Sequence, residues 1–237
     1  MKIFVYHTPE LVPTQSLPDC AVVIDVLRAT STIATALHNG AAGIRAFADL
    51  EELQQTAASF ALGTCLKAGE RGGKGVPGFE MGNSPFEYTP ERVTGKRILM
   101  STTNGTRALQ AVQKTTVVIT AAFINLGVVR NFLKQEEFQT VWLVGSGWEG
   151  SYSLEDTGCA GAVAWELGEP GNDETVAACA LYGQWQGDLL GLLKQASHGQ
   201  RLLGLGCLED LKYCADAGRL NVLPRQNDEG YLVGTYL

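Results

Sequence analysis

Cys20-Ala21-Val22-Val23-Ile24-Asp25-Val26-Leu27-Arg28-Ala29-Thr30-Ser31-Thr32 is the stretch that decides the fold. Residues 20–26 (CAVVIDV) form a near-continuous apolar run, the pattern of a strand covered on both faces in a parallel sheet. Residues 29–38 follow almost at once and read as a helix, stopped by Asn39-Gly40. A buried strand feeding directly into a helix is half of a β-α-β unit, and its repetition makes an α/β protein.

The alternation continues in both directions. Strands are expected at 2–7, 43–47, 62–68, 97–101, 116–121 and 140–145. A helix opens at Asp49, which has Glu52 three residues later in a near capping-box arrangement. Further helices are expected over 106–113, over 126–135 with Asn125 as cap, and over 153–167. Beyond residue 172 the chain turns helical, with amphipathic stretches at 174–185, 188–196 and 208–217, and 221–237 closes as a strand or hairpin. The pattern predicts a mostly parallel or mixed sheet covered by helices, with a helical C-terminal part. Residues 1–237 read as one domain, or as two lobes with the site between them.

Composition narrows the function. Hydrophobic residues make up 45% of the 237, enough to exclude a disordered chain. The net charge of −7 argues against nucleic acid or a membrane surface as partner, yet leaves room for a small anion held by a local basic site. The stretch without Asp, Glu, Lys or Arg at 29–44 has 16 residues and contains His38, Asn39 and two glycines; a spanning helix needs about 20 apolar ones. With no signal-peptide core at the N-terminus and six cysteines without a CxxC pair, the reading is a cytoplasmic protein whose thiols are mostly buried. An apolar face left exposed on the helices of 174–217 would make it a homodimer.

Four segments concentrate chemistry, each just past the carboxyl end of a strand, where open α/β sheets bind ligands. In the first, an apolar strand meets Asp25, Arg28 and three hydroxyls at 30–32. Asp25 needs a partner there. Metal ligation or catalysis supplies one, and so would a simple pairing with Arg28. Position 27 is leucine, so the D-x-D signature of aspartyl-phosphate phosphatases is absent. The second segment, 69–85 (GERGGKGVPGFEMGNSP), has six glycines between 69 and 82, with Arg71 and Lys74 among them. Such backbone can approach an anion closely, although the P-loop pattern is missing. The third, 101–107 (STTNGTR), is a hydroxyl-rich turn opening a helix, where free N–H groups suit phosphate or sulfonate. The fourth, 145–156, brings a glycine turn and then Glu155-Asp156 in the first turn of a helix. Those acids complement the helix dipole, or they join Asp25 around Mg²⁺, which uses one or two carboxylates plus water and substrate oxygens. Up to this point phosphatase, kinase, lyase, isomerase and non-catalytic anion binder all remain open.

These segments resemble the 2-phosphosulfolactate phosphatase family: DVLRATST at 25–32, GERGG at 69–73, GFEMGNSP at 78–85, STTNGT at 101–106 and the stretch ending at Glu155-Asp156, in order across about residues 20–165. One departure is Glu80, where the family favours Asp. The resemblance implies a three-layer α/β/α fold and a Mg²⁺-dependent phosphatase. Its reaction takes (2R)-O-phospho-3-sulfolactate to 3-sulfolactate, a step of coenzyme M biosynthesis. On that basis Asp25, Glu155 and Asp156 are expected to hold Mg²⁺, Asp25 being alternatively the nucleophile. Arg28 and Arg71 neutralise phosphoryl charge. Glu70, Gly72 and Gly73 of the glycine loop, Asn83 and Ser84, and the turn Thr102, Thr103, Asn104, Gly105 and Thr106 bind the small anionic phosphorylated substrate. A binder of such an anion without turnover, and a metal-dependent lyase, are the competing readings.

Overall fold

The computed structural model describes residues 1–72 and 74–236. Gly73, one of the expected substrate contacts, lies outside the described residues, as does the side chain of Lys74. In chain order the elements are β1 (Lys2–Tyr6), β2 (Cys20–Ile24), α1 (Ala29–His38), β3 (Gly43–Ala46), α2 (Leu50–Ala58), β4 (Cys65–Arg71), β5 (Lys74–Gly75), α3 (Pro90–Val93), β6 (Arg97–Ser101), α4 (Gly105–Val112), β7 (Val117–Ala121), α5 (Leu126–Gln135), β8 (Thr140–Gly145), α6 (Leu154–Ala164), β9 (Glu169–Pro170), α7 (Asp173–Trp185), α8 (Leu189–Gln195), α9 (Ser197–Gly204), α10 (Leu208–Cys214), β10 (Leu223–Gln226) and β11 (Leu232–Thr235).

The strands form one mixed sheet in the order β5-β4-β6-β3-β11-β10-β7-β2-β8-β1-β9. It consists of two parallel blocks, β4-β6-β3 and β7-β2-β8-β1-β9. The hairpin β10–β11 lies between them and pairs antiparallel to β7 on one side and β3 on the other. Three antiparallel pairings in succession reverse the strand sense from one block to the other.

Strand β2 shows why the layers form. Cys20, Val22 and Ile24 pack with residues of α5, α6 and α8 on one face, and Ala21 and Val23 with α1 and α4 on the other. All five β2 residues are buried. Period-two alternation of an all-apolar strand thus builds two cores at once, the three-layer α/β/α arrangement.

Several local expectations shift. Strand β2 stops at Ile24 rather than 26, because Asp25 turns the chain: its N–H donates to Thr30 Oγ1 at 3.0 Å and its C=O accepts from Thr30 N at 2.9 Å. The strand expected at 62–68 runs instead from Cys65 to Arg71, so residues 69–71 of the expected glycine loop belong to a strand that pairs antiparallel with β5. A glycine extends that strand for a steric reason: a Cβ at Gly69 would stand 2.5 Å from the Ser101 carbonyl of β6. Asn125 does not cap α5. Fully buried, it accepts from Ala122 N at 2.8 Å and donates to the carbonyls of Thr120 and Val222, both at 3.3 Å, tying β7 to the approach of β10. Helix α9 was not expected, since its start, Ser197-His198-Gly199, has weak helix propensity. All six cysteines are free thiols; Cys20, Cys159 and Cys214 are buried and the others half-buried.

Candidate active site

Asp25 stands immediately beyond β2 and is 6% exposed. Its Oδ1 accepts from Ala29 N at 3.2 Å, so it caps α1 by reaching one turn ahead. Its Oδ2 faces Gly105 at the start of α4, a helix from the other parallel block. Burial, together with the negative charges of Glu155 and Glu70, pushes its carboxyl up to about 7.

Glu155 and Asp156 occupy the first turn of α6, which Ser153 caps by accepting from Asp156 N at 3.3 Å. Both are almost fully buried. Asp156 Oδ1 accepts from Val26 N at 2.9 Å and Oδ2 from Ser146 N at 3.2 Å, so this carboxylate clips the chain leaving β2 to the chain leaving β8. Burial, then the charges of Glu155 and Asp25, raises it well above the usual carboxylate range. Burial raises Glu155 as well. Its Oε1 lies 3.8 Å from His198 Nδ1 on α9. This is no ion pair at neutral pH, because burial and the guanidiniums of Arg28 and Arg201 push His198 down to about 4. A hollow of about 230 Å³ opens beside Glu155, walled by Trp148, Tyr152 and His198.

Arg28 is 6% exposed and does not pair with Asp25. Its Nη1 donates to Asp210 Oδ2 at the start of α10, and Ser84 Oγ donates to the other oxygen of Asp210 at 2.8 Å. Neighbouring Asn83 is fixed through its carbonyl, which accepts from Thr32 Oγ1 at 2.8 Å. Arg71 lies across the end of β6, donating to Ser101 O at 3.2 Å and Ser101 Oγ at 2.8 Å. Thr103 Oγ1 reaches Glu70 Oε1 at 3.4 Å. Thr102 N donates to Thr106 Oγ1 at 3.3 Å, closing the turn before α4. Among the described residues, Asn83 Oδ1, Asn104 Oδ1 and Ser146 Oγ are buried without a hydrogen-bond partner, each in one of the segments singled out by sequence. The other two such atoms among the described residues, Thr115 Oγ1 and Thr120 Oγ1, lie outside those segments.

Comparison with known proteins shows the family. The model of the 2-phosphosulpholactate phosphatases matches residues 6–229. The chain belongs to the 2-phosphosulfolactate phosphatase family. Relatives named probable 2-phosphosulfolactate phosphatase include those of Synechococcus sp. (strain JA-2-3B'a(2-13)), 58% identical over 98% of both chains, and Gloeobacter violaceus, 57% identical over 98% of both. That of Synechocystis sp. is 57% identical over 98% of this chain and 99% of its own.

For a phosphatase of this family the question is which residues suit Mg²⁺. Among the described residues no three His, Cys, Asp or Glu side chains form a ready-made metal cage. Mg²⁺ does not require one, since it keeps waters and takes one or two carboxylates. Asp25 and Glu155 fit: they are hard oxygen donors, buried, and each carries a charge that burial opposes. Asp156 already accepts two backbone N–H groups and stands behind them. Glu80 lies apart, accepting from Lys67 N at 2.8 Å on an exposed edge, so the longer arm at this position serves β4 rather than the site.

Asp210, His198 and Arg201 were missed. Arg201 donates to the Gly72 carbonyl at 2.7 Å, bringing a second guanidinium to the glycine hairpin beside Arg71. His198 and Arg201 lie on α9, a helix that was not expected, and Asp210 looks in sequence like an ordinary acid in a first helical turn. A larger hollow of about 280 Å³ lies between α4 and the C-terminal hairpin, but Thr106 is the one expected site residue on its wall.

Proposed function

We propose that this chain hydrolyses 2-phosphosulfolactate to 3-sulfolactate and inorganic phosphate with Mg²⁺ as cofactor, a step of the coenzyme M type. One observation carries the reading: Asp25 and Glu155 are buried together while the nearby cation, Arg28, is matched to Asp210 instead. Buried carboxylates left without a counter-charge are costly, and a divalent cation offsets that cost. Asp25 and Glu155 would hold Mg²⁺, which would supply Lewis-acid polarisation of a phosphoryl oxygen and a more acidic water.

The chain's own groups do the rest. Arg28 directs its remaining N–H groups toward phosphoryl oxygens, where charge accumulates as the P–O bond breaks. The amide end of α4, brought up to Asp25 by the missing Cβ of Gly105, offers its N–H groups to a second anionic group. Arg71 and Arg201 ring the glycine hairpin and favour a substrate bearing phosphate, sulfonate and carboxylate over a simple phosphate ester. Asp156 holds the ends of β2 and β8 together, which keeps Asp25 and Glu155 in fixed relation. Free thiols support a reducing compartment, the cytoplasm.

The test is phosphate release from 2-phosphosulfolactate and from phosphoglycolate, in Mg²⁺ and in EDTA. Release that needs Mg²⁺ and favours the sulfonated substrate is expected. Absence of metal-dependent release from any phosphorylated hydroxy acid would leave a binder.

A further inference from the structure

Asp210 raises a question of charge. In a site built for a polyanion, a carboxylate placed against Arg28 cancels the positive charge that would attract the substrate. Asp210 is therefore a poor device for affinity. It is, however, a good device for geometry. Its two oxygens are divided between two segments of the site: Oδ2 receives Arg28 Nη1 and Oδ1 receives Ser84 Oγ. Arg28 and Asp210 are both 6% exposed, so the contact is dry and little screened. A planar guanidinium held at Nη1 keeps its other N–H groups in a plane that passes through that contact. Through Ser84 the same carboxylate places Asn83, whose Oδ1 is buried and unpartnered.

Helix α10 does not depend on this contact to dock. Tyr213 Oη pairs with Thr35 Oγ1 of α1 at 3.0 Å, the Tyr213 and Phe86 rings meet edge-on at 5.3 Å, and Leu211 and Cys214 are buried in the core. The charge of Asp210 is thus spare as far as anchoring is concerned.

We infer that Asp210 is a positioning residue that locks Arg28 and the Asn83–Ser84 turn in the orientation the phosphoryl group requires during bond cleavage. The inference rests on the phosphatase reading above. Rigid donors act chiefly in the transition state, so their loss falls on kcat more than on KM.

The experiment compares wild type, Asp210→Asn and Asp210→Glu. It measures kcat and KM with 2-phosphosulfolactate, the inhibition constant of inorganic phosphate, and the ¹⁵N signal of the Arg28 guanidinium, assigned by its absence in Arg28→Lys. For Asp210→Asn we expect kcat to fall 10- to 100-fold, KM and the phosphate constant to stay within threefold, and the Arg28 signal to broaden or average. Asp210→Glu should recover part of the kcat. An Asp210→Asn enzyme with kcat within twofold of wild type overturns the inference, as does an Arg28 signal as sharp as in wild type. If Asp210→Asn fails to fold, Ser84→Ala removes the second partner alone and should lower kcat three- to tenfold; unchanged kcat there also overturns it. A wild-type protein that releases no phosphate refutes the phosphatase reading, and the Arg28 signal then still decides whether Asp210 orders the guanidinium.

Discussion

Gly105 lies against Asp25 so closely that a Cβ at 105 would stand 2.9 Å from Asp25 Oδ2 and 2.9 Å from Ala29 Cβ. Asp25 precedes α1 and Gly105 begins α4, helices that follow strands of opposite blocks, and their approach brings the segments after β2 and β6 together. Gly105→Ala should therefore push α4 away from Asp25. The expected result is at least a tenfold loss of kcat/KM, with a destabilisation of about 1–3 kcal/mol from overpacking, read by urea unfolding. An alanine variant with full activity would show that the contact is incidental.

Asp25→Asn keeps the shape of the site and removes the charge that burial opposes. Turnover should fall by about three orders of magnitude or more, while the melting temperature of the metal-free protein holds or rises. Mg²⁺ should raise the melting temperature of wild type, since a ligand that binds only the folded state stabilises it by mass action. The same addition should shift Asp25→Asn much less. An equal shift in both proteins would remove Asp25 from the proposed ligand set.

His198 gives the pH dependence. Its folded value of about 4 lies below the ordinary 6.5 because burial and two arginines oppose the imidazolium. The unfolded chain therefore binds the proton more readily, and stability is lost as pH falls from 6.5 toward 4. At pH 5 the loss is about 2 kcal/mol relative to pH 8. Urea unfolding of wild type and His198→Gln at both pH values isolates this contribution: the difference between the proteins should shrink as pH falls. A constant difference would show that His198 titrates normally.

Asn125→Ala strips three hydrogen bonds from a site with no exposure. Orphaning Ala122 N–H and two carbonyls should cost about 2–4 kcal/mol, with kcat and KM of the folded fraction unchanged. Chemical denaturation and steady-state kinetics on one preparation check both halves.

The strand–helix alternation was legible because β2, β7 and β8 are apolar on both faces, a pattern that leaves little choice of environment. The candidate segments at 25–32, 101–107 and 145–156 stood out in sequence because polar residues follow directly on apolar strands. What could not be read was pairing at a distance. Arg28 meets Asp210 across 182 positions, and Arg201 meets Gly72 across 129. No local spacing encodes either contact. The glycine hairpin was mistaken for a loop because glycine weakens strand propensity, whereas here close packing on Ser101 requires it.

The hairpin of β10 and β11 is the seam between the two parallel blocks. It is not their only joint, because α4, which follows β6 in one block, packs on Ala21 and Val23 of β2 in the other. Its distinct service is to cover β3 and β7 at once, each of which would otherwise present an unpaired edge, the kind of surface that invites wrong partners. Thirteen residues, 223–235, thus guard two edges together, and whatever loosens the hairpin uncovers both.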